Sequence, residues 1–450
     1  MIIPVPTTQN LAPYIMNRIL ILTYYWPPAG GPGVQRWLKF VKYLEDFDCK
    51  PYILTVADGT YSAIDNDLVK EIPEGLMVYK TKSRDPFRFY TMLKGKKDGS
   101  VSVALININK ERSLIDRLSM YIRSNFFIPD ARKGWMPYAY KEALNIIKEQ
   151  NIDIIVTTGP PQSTHLIGLK LKRKTGLNWI ADLRDPWTTV YYNDMLPRTQ
   201  KTRRIDKAYE DEVLGAADAV TVVSPGMQKE FKDRNPNVQL VMNGFDMADM
   251  RGGAVNAVTD DKFRMTYTGN FKPNQHIPEL WNAICELIDG DEQFKNDFQL
   301  RFVGNLDSSV PEYFRDKGHE GILEIISYVP HAEATGLMSY SDVLLFVVPQ
   351  SRNNKLIITG KLFEYLASGT PIYSTGPVDG DAATILNQTG RSGMIDYNDK
   401  EKFKEQILHF YKDWKVNGGS LPKLDVSMLD QYSRRSSAGL MAGIINKLIH

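Results

Sequence analysis

The sequence predicts an α/β protein made of two doubly wound, Rossmann-like parallel-sheet domains that face each other across a cleft. Three observations support this prediction. The chain has 450 residues, more than the roughly 250–300 residues at which a single hydrophobic core stops growing. Short, almost entirely apolar segments alternate with helical patterns, as in a parallel sheet covered on both faces. The alternation starts again after a polar, glycine-containing stretch at 251–262, which we interpret as the linker between the domains.

The linker divides the chain into an N-terminal domain, 18–250, and a C-terminal domain, 263–425. Residues 1–17 are interpreted as an N-terminal tail. The first fifteen residues lack the basic region of a signal peptide and are interrupted by prolines, and Met16 resembles a natural start. We therefore expect residues 1–15 to be either a tail or a misassigned extension that precedes the natural start.

Apolar, β-rich segments predict five strands in the N-terminal domain and four in the C-terminal domain. The first strand is followed by a glycine-rich turn and an amphipathic helix at 34–44. The predicted strands are 18–26, 51–56, 152–159, 179–183 and 219–224, then 263–270, 298–305, 323–329 and 343–349. The carboxyl ends of parallel strands meet at one edge of a sheet, where this architecture binds its ligands.

Three loops of the N-terminal domain follow predicted strands and carry polar or glycine residues. "AGGPGVQR" contains Gly31 and Gly33, which permit close approach of a phosphate at a helix N-terminus. It is not a complete dinucleotide fingerprint. His165 follows the third strand, and Arg184 and Asp185 follow the fourth in "DLRDPW". A lone histidine and a loop Arg–Asp pair also occur as purely structural features, and the residues alone leave both interpretations open.

In the C-terminal domain, small or polar residues end the strands in "YTGNFK", "FVGN" and "YVPHAE". The most informative segment is "ITGKLFEYLASGTPI". Lys361 and Glu364 could form a weak surface ion pair worth roughly 0.2–0.5 kcal/mol. Alternatively, Gly360 starts a helix whose N–H groups and dipole favour an anion, with Lys361 adding charge and Glu364 accepting from sugar hydroxyls.

Composition excludes several classes of protein. The net charge of +2 does not indicate a nucleic-acid-binding protein. Cys49 and Cys285 are far apart, which argues against a disulfide framework or a zinc site. No Asp-x-Asp pair occurs at a predicted strand end, and no apolar run approaches the roughly 18 residues of a spanning helix. No metal site and no bound cofactor are predicted.

Residues 80–133 contain thirteen Lys or Arg against five Asp or Glu, which indicates one surface that meets an anionic partner. Within this segment, 111–127 predicts an amphipathic helix. Its apolar stripe comprises Leu114, Ile115, Leu118, Tyr121, Ile122 and Phe126. The helix could pack on the core, or it could contact an anionic membrane together with Lys94, Lys96 and Lys97.

The segments "TYYWPPAGGPGVQR", "DLRDPW", "VMNGFD", "YTGNF" and "GKLFEYLASGTPI" occur in the order seen in retaining glycosyltransferases of the GT-B fold, family 4. The chain resembles this family from about residue 18 to about residue 399, and the last segment is the most specific. The resemblance implies that the N-terminal domain receives an acceptor and that the C-terminal domain binds a nucleotide-sugar. It also implies that a helix in 426–450 crosses back to the first domain.

The resemblance assigns roles residue by residue. Lys361 and the backbone around Gly360 and Leu362 would face the donor diphosphate, and Glu364 would bind the ribose hydroxyls. Val329 and Pro330 would present backbone to the nucleobase. Further donor-side residues are Gly31, Gly33, Gly269, Asn270 and Lys272. Arg184 and Asp185 lie where the family has polar residues facing the transferred sugar and the acceptor. The position of His165 after a predicted strand places it on the same acceptor side.

Two positions depart from the family pattern. Leu356 stands where the family has a first glutamate, and Asn270 replaces an arginine, with Lys272 nearby. These departures concern the identity of the sugar.

The predicted function is retaining, metal-independent transfer from a UDP-, GDP- or TDP-sugar to a glycan or lipid-linked acceptor in bacterial surface polysaccharide synthesis. We expect a cytoplasmic protein with peripheral contact to an anionic membrane. A sugar-nucleotide epimerase and a non-catalytic sugar-nucleotide-binding protein remain alternatives.

Overall fold

The computed structural model describes residues 16–61, 64–84, 114–250, 261–327 and 329–450. Within these ranges the chain forms two parallel sheets, which confirms the predicted α/β class with two doubly wound domains. Residues 1–15, the linker positions 251–260 and the lysines at 94, 96 and 97 lie outside the described residues.

The first sheet has seven described strands in the order β3-β2-β1-β4-β5-β6-β7, all parallel. Its strands are β1 (Asn17–Leu22), β2 (Cys49–Val56), β3 (Met77–Thr81), β4 (Ile154–Gly159), β5 (Asn178–Leu183), β6 (Ala219–Val222) and β7 (Val238–Leu240).

The second sheet has five described strands in the order β10-β9-β8-β11-β12, also parallel. Its strands are β8 (Phe263–Thr268), β9 (Phe298–Val303), β10 (Leu323–Ile326), β11 (Val343–Val347) and β12 (Ile372–Thr375). In both sheets the order reverses beside the first strand of the domain. These reversals, between β1 and β4 and between β8 and β11, are the points where doubly wound sheets form their ligand crevices.

Helices cover both faces of each sheet. In the first domain they are α1 (Pro32–Leu44), α2 (Asp67–Lys70), α3 (Leu114–Phe126), α4 (Met136–Glu149), α5 (Ser163–Thr175), α6 (Gln200–Ala216), α7 (Pro225–Phe231) and α8 (Met247–Met250). In the second they are α9 (Pro278–Gly290), α10 (Glu292–Asp297), α11 (Ser309–Asp316), α12 (His331–Ser339), α13 (Gly360–Ser368), α14 (Asp381–Gln388) and α15 (Lys400–Val416), and the last helix is α16 (Arg434–Ile449). Short 3₁₀ helices are Glu45–Phe47, Ala131–Trp135, Tyr191–Asn193, Pro273–Gln275, Glu320–Ile322, Asn354–Leu356 and Ser427–Tyr432.

All nine predicted strands are present, but several end earlier than predicted. The first strand ends at Leu22 rather than at residue 26. Strands β3, β7 and β12 were not predicted. The first of these is an edge strand with partly exposed side chains, and β7 has three residues. Neither carries the apolar run that identifies a buried strand.

Two segments connect the domains side by side. Phe245, on the outgoing segment, pairs with Ser433 on the returning segment. The backbone N–H of Phe245 donates to Tyr432 O at 3.1 Å, and the N–H of Arg434 donates to Phe245 O at 2.7 Å. A Cβ at Gly244 would lie 2.2 Å from Tyr432 O, so this close approach requires glycine.

The returning segment leads into α16, which packs against the first domain. Met441 and Ile445 of this helix belong to the same buried cluster as Ile19 and Trp37. Asn17 Nδ2 donates to Asn446 Oδ1 at 2.9 Å, which joins β1 to the last helix.

Candidate active site

The predicted site residues lie in loops at the carboxyl edges of the two sheets. In the first domain, Gly31 lies between β1 and α1, and Arg184 and Asp185 follow β5. In the second, Gly269 follows β8 and Gly360 begins α13. Gly31, Gly269 and Gly360 follow strands at the topological reversals, as expected for a ligand crevice, and Arg184 and Asp185 follow the strand next to β4.

The wall of the first domain is organised by a buried ion pair. Arg36 of α1 and Asp182 of β5 are both fully buried, and their closest atoms are 2.8 Å apart. Asp182 also accepts hydrogen bonds from Trp37 Nε1, Thr158 Oγ1 and Thr221 Oγ1 at 2.8–2.9 Å. Burial alone would raise the pKa of Asp182, but Arg36 and these hydrogen bonds lower it to about 2. The network joins α1 to β4, β5 and β6.

Arg184 belongs to this wall rather than to open solvent. Its Nε and Nη2 donate to Gly159 O at 3.1 Å and to Pro160 O at 2.6 Å. A Cβ at Gly33 would lie 2.4 Å from Arg184 Nη1. Glycine at 33 therefore allows the guanidinium to lie against the first turn of α1. Gly31 has φ +102°, a backbone conformation that favours glycine, and the space around it is open.

Asp185 differs from Asp182, three residues earlier. It is half-buried and makes no hydrogen bond or ion pair to any part of the chain that the structure describes. Burial raises the pKa of Asp185, while Arg184 and Lys272 oppose that shift. Lys272 belongs to the second domain, so Asp185 lies close enough to that domain for the charge of Lys272 to lower its pKa.

His165 lies beneath the loop that follows β4. Its side chain is fully buried, and Nδ1 is 2.9 Å from Thr157 Oγ1. Burial lowers the pKa of His165 to about 3, so the ring is neutral near pH 7. Nε2 has no hydrogen-bond partner among the described residues, and a Cβ at Gly159 would lie 2.5 Å from it. A role for His165 in acceptor chemistry stays a prediction.

The wall of the second domain is formed by α13. Leu362, Phe363, Tyr365 and Leu366 are buried on one side of this helix. The hydroxyl of Tyr365 accepts a hydrogen bond from the Thr268 N–H at 3.0 Å, which fixes the helix against β8. Lys361 and Glu364 therefore lie together on the other side. Leu362 can contact a ligand only through its backbone, because its side chain is in the core.

The first turn of α13 receives no hydrogen bond from a side-chain cap at Thr359. Lys361 Nζ donates to the Tyr267 hydroxyl at 2.6 Å and lies 4.3 Å from the centre of that ring. A Cβ at Gly269 would meet Lys361 Cε at 2.7 Å, and Gly269 has φ +91°. Burial lowers the pKa of Lys361 to about 7, with Lys272 adding to the effect. An anionic ligand here would favour the charged ammonium.

Glu364 is half-buried, and its carboxylate has no hydrogen-bond or ion-pair partner among the residues that the structure describes. Burial raises its pKa, and His331, Arg434 and Lys361 oppose the shift. A carboxylate in this setting can accept hydrogen bonds from hydroxyl groups of a ligand. The weak Lys–Glu surface pair is not formed, since no hydrogen bond or ion pair joins Lys361 to Glu364.

The surroundings of Glu364 include residues that the sequence analysis did not single out. Arg434 begins α16 and is 6% exposed. Burial, with Arg36 nearby, lowers its pKa to about 10. His331 begins α12, and its Nε2 lies 4.0 Å from Asp249. His331 lies in "YVPHAE", which the sequence analysis described as a strand end. No pattern in the sequence indicated Arg434.

Other predicted donor-side residues lie at the same edge. Asn270 Oδ1 accepts from Asn305 Nδ2 at 3.1 Å, and its carbonyl accepts from the Tyr267 hydroxyl. Lys272 is exposed. Pro330 precedes α12 directly, with Val329 before it. The structure therefore brings these residues to the rim of the second sheet, and their contacts with a nucleotide stay predictions.

Leu356 lies at a contact between the two domains. A Cβ at Gly226 would lie 2.0 Å from Leu356 Cδ2, so Leu356 packs against the first domain. Asp381 accepts the Gly226 N–H at 2.9 Å. At this position an apolar contact between the domains stands where the sequence resemblance implied a carboxylate.

Residues 379–381 read Asp-Gly-Asp, shortly after the unpredicted strand β12. Asp379 is paired with Lys355 at 2.5 Å, and Asp381 is held by Gly226. Among the described residues, no group of three His, Cys, Asp or Glu side chains is arranged to hold a metal ion. None of the described helices combines the length and apolar character needed to cross a membrane.

Comparison with known proteins gives one family and several structures. Residues 109–249 match the model of Glycosyltransferase Family 4. No curated protein sequence matches the chain.

Many solved structures are similar to the chain, and three of them match it over nearly its whole length. Sucrose-phosphate synthase from Thermosynechococcus elongatus has a TM-score of 0.62 at 13% identity, covering 96% of this chain and 99% of that one. The apo form of the lipopolysaccharide outer core galactosyltransferase WaaB has 0.55 at 12%, covering 96% and 100%. A putative UDP-N-acetylglucosamine 2-epimerase from Listeria monocytogenes has 0.53 at 11%, covering 96% of each chain. At these identities the likeness shows the fold.

Proposed function

We propose that this chain, as a GT-B glycosyltransferase with a family 4 domain, transfers a sugar from a nucleotide-sugar that is bound at α13. The observation that supports this proposal is the unpaired carboxylate of Glu364. Its half-buried carboxylate has no partner in the described structure, beside Lys361 and an uncapped helix N-terminus. An unpaired buried carboxylate is costly for a protein, and bound hydroxyl groups would satisfy it.

The proposed donor is a UDP-, GDP- or TDP-sugar. Its diphosphate would lie at the first turn of α13, where backbone N–H groups and Lys361 supply positive charge. Its ribose hydroxyls would donate to Glu364, and the backbone of Val329 and Pro330 would meet the base. Gly31, with open space around it, would lie across the phosphates from the first domain.

We propose a retaining, metal-independent reaction. The bond between the anomeric carbon and the diphosphate breaks, and an acceptor oxygen bonds to the same face of that carbon. The acceptor proton passes to the departing diphosphate. Lys361 and the α13 amides stabilise the leaving charge. Asp185 and Arg184 would face the transferred sugar and the acceptor from the first domain.

The proposed acceptor is a glycan or a lipid-linked glycan in bacterial surface polysaccharide synthesis, on the cytoplasmic side of the membrane. Peripheral contact with that membrane would bring a lipid-linked acceptor to the cleft. This part of the proposal is supported by α3, which exposes Leu118, Tyr121, Ile122 and Phe126.

The experiment is a donor screen followed by an acceptor screen. Isothermal titration with UDP-, GDP- and TDP-sugars should identify one base with much higher affinity, and turnover should then require an added acceptor. Conversion of the donor to another sugar-nucleotide without acceptor would instead establish an epimerase. Binding without turnover, with every acceptor offered, would establish a binding protein. Absence of binding by all donors would refute the proposed site.

A further inference from the structure

We propose that a basic groove on the N-terminal domain binds the phosphate headgroups of an anionic membrane surface. The groove has a volume of about 860 Å³. It shares no lining residue with the candidate active site. Its lining residues are Arg84, Lys133, Gly134, Met136, Pro137, Tyr140, Lys170, Arg173 and Lys174.

The lining carries one sign of charge. Five of its nine residues are lysine or arginine, and none is acidic. Lys170 and Lys174 lie one turn apart on α5, where like charges at this spacing destabilise a helix unless an anion lies between them. A concave surface with charge of a single sign concentrates counter-ions.

Most of this charge is not neutralised by the protein. The side chains of Arg84, Lys170 and Lys174 make no hydrogen bond or ion pair within the described ranges, and all three residues are exposed. Arg173, in contrast, pairs with Glu212 at 2.5 Å. Lys172, on the same helix but outside the groove, pairs with Asp218 at 2.8 Å. Within the described part of α5, the two unpaired cations, Lys170 and Lys174, therefore both line the groove.

The neighbouring helix α3 identifies the source of the phosphate. Lys133 lines the groove, and its Nζ donates to the carbonyl of Phe126 at the end of α3. On this helix Leu118 and Phe126 are 60% and 65% exposed, and Tyr121 and Ile122 lie on the same face. A soluble phosphate ligand would not contact this apolar surface. A lipid bilayer offers both anionic headgroups and an apolar boundary.

This groove extends the charged surface beyond the segment that sequence composition identified. Lys170, Arg173 and Lys174 lie outside 80–133, and topology brings them beside Arg84 and Lys133. The proposal concerns binding alone, and it does not rest on the proposed transfer reaction.

The test is cosedimentation of the full chain with vesicles of phosphatidylcholine, with or without phosphatidylglycerol. The charge-removing variant is Lys170→Gln with Lys174→Gln. Each basic residue near an anionic surface contributes about fivefold in binding, so the double variant should bind about 25-fold more weakly. Added salt should weaken the wild type more than the variant.

A matched control removes two charges elsewhere. Lys232 and Lys317 are exposed, make no described side-chain contact and lie outside the groove. Their double glutamine variant should bind vesicles as the wild type does. Leu118→Ser with Phe126→Ser should also weaken vesicle binding. Thermal unfolding of each variant establishes that the fold is retained.

Three results would overturn the proposal. The first is equal binding of the wild type and the groove variant to phosphatidylglycerol vesicles. The second is equal loss of binding in the control variant. The third is a wild type that ignores vesicles but binds inorganic pyrophosphate in a manner that requires Lys170 and Lys174, which would make the groove a site for a soluble phosphate.

Discussion

Each of the two walls of the cleft carries a cation and a carboxylate, but the two pairs differ in how they are bonded. In the first domain, Arg36 and Asp182 are fully buried and bonded to each other, and Asp182 accepts further hydrogen bonds from three neighbours. In the second, Lys361 and Glu364 share one face of α13 without a contact between them. The first pair is fully used in holding the fold together. The second has bonding capacity left for a ligand.

The pKa shifts follow this difference. The pKa of Asp182 is lowered to about 2, because its partners outweigh burial. The pKa of Glu364 is raised and that of Lys361 is lowered to about 7, because burial outweighs their neighbours. Perturbed groups in a cleft indicate a functional site when no structural partner accounts for them. The comparison therefore separates charges that hold the fold together from charges that are proposed to bind a ligand, and four experiments test this distinction.

The largest effect is expected at Asp182. Asp182→Asn removes the charge that compensates buried Arg36, and breaking one partner of such a pair costs about 3–5 kcal/mol. The free energy of unfolding, measured in urea, should fall by this amount. If the variant does not fold, Trp37→Phe removes one hydrogen bond to the same carboxylate and should cost about 1 kcal/mol. A stable Asp182→Asn protein would show that the network is not structural.

The matched change at Asp185 should act on turnover. Asp185→Asn removes a carboxylate that has no partner in the described structure, so the free energy of unfolding should hardly change. If this group binds the reacting sugar or acceptor, kcat should fall about 10- to 100-fold, the equivalent of a charge-assisted hydrogen bond. Nucleotide affinity, measured by titration, should stay nearly constant. A large loss of nucleotide affinity would place Asp185 on the donor side.

Glu364→Gln should reduce donor affinity by about 10-fold or more, since one charge-assisted hydrogen bond is worth about 1.5–3 kcal/mol. The shape is kept and the charge is lost. Ligand-free thermal stability should stay the same or rise slightly, because burial of an unpaired carboxylate is unfavourable. Calorimetric titration of nucleotide into both proteins measures the effect. Equal affinities would remove Glu364 from the donor site.

The smallest expected effect is the uptake of a proton by Lys361 when the donor binds. Its pKa is lowered from 10.5 to about 7 in the ligand-free fold. The charged form therefore destabilises the fold, fully below about pH 7, and this cost disappears as the pH rises towards 10.5. A diphosphate beside Lys361 favours the charged form.

Near pH 8, donor binding should therefore be accompanied by the uptake of about one proton, and Lys361→Met should abolish this uptake. Titrations in two buffers with different ionisation enthalpies measure it. The same substitution should raise the free energy of unfolding near pH 6 and leave it almost unchanged near pH 10. Equal proton uptake by both proteins would exclude Lys361 as the group that titrates.

Sequence reasoning was strongest where burial leaves a continuous apolar run. Strand β4 is buried along its whole length, and it was predicted within two residues. Strand β3 is exposed at the sheet edge and has no such run, so it was missed. Likewise, the motif around Gly360 identified α13 because turn residues, a helical pattern and two charges coincide in nine residues.

Contacts between distant parts of the chain could not be predicted in this way. Arg36 and Asp182 are 146 positions apart. The available signal was a charged residue inside the apolar segment "WIADL", since a buried charge requires a partner. Leu356 gave no indication that it packs on Gly226, because packing between domains depends on the way that both fold.

The paired connection at Phe245 and Ser433 has a mechanical consequence. Two segments joined by backbone hydrogen bonds resist twisting about their common direction more than bending across it. One domain can therefore tilt away from the other without rotating around it. A relative movement of the two domains would thus be restricted to one axis, and the two walls would keep their alignment.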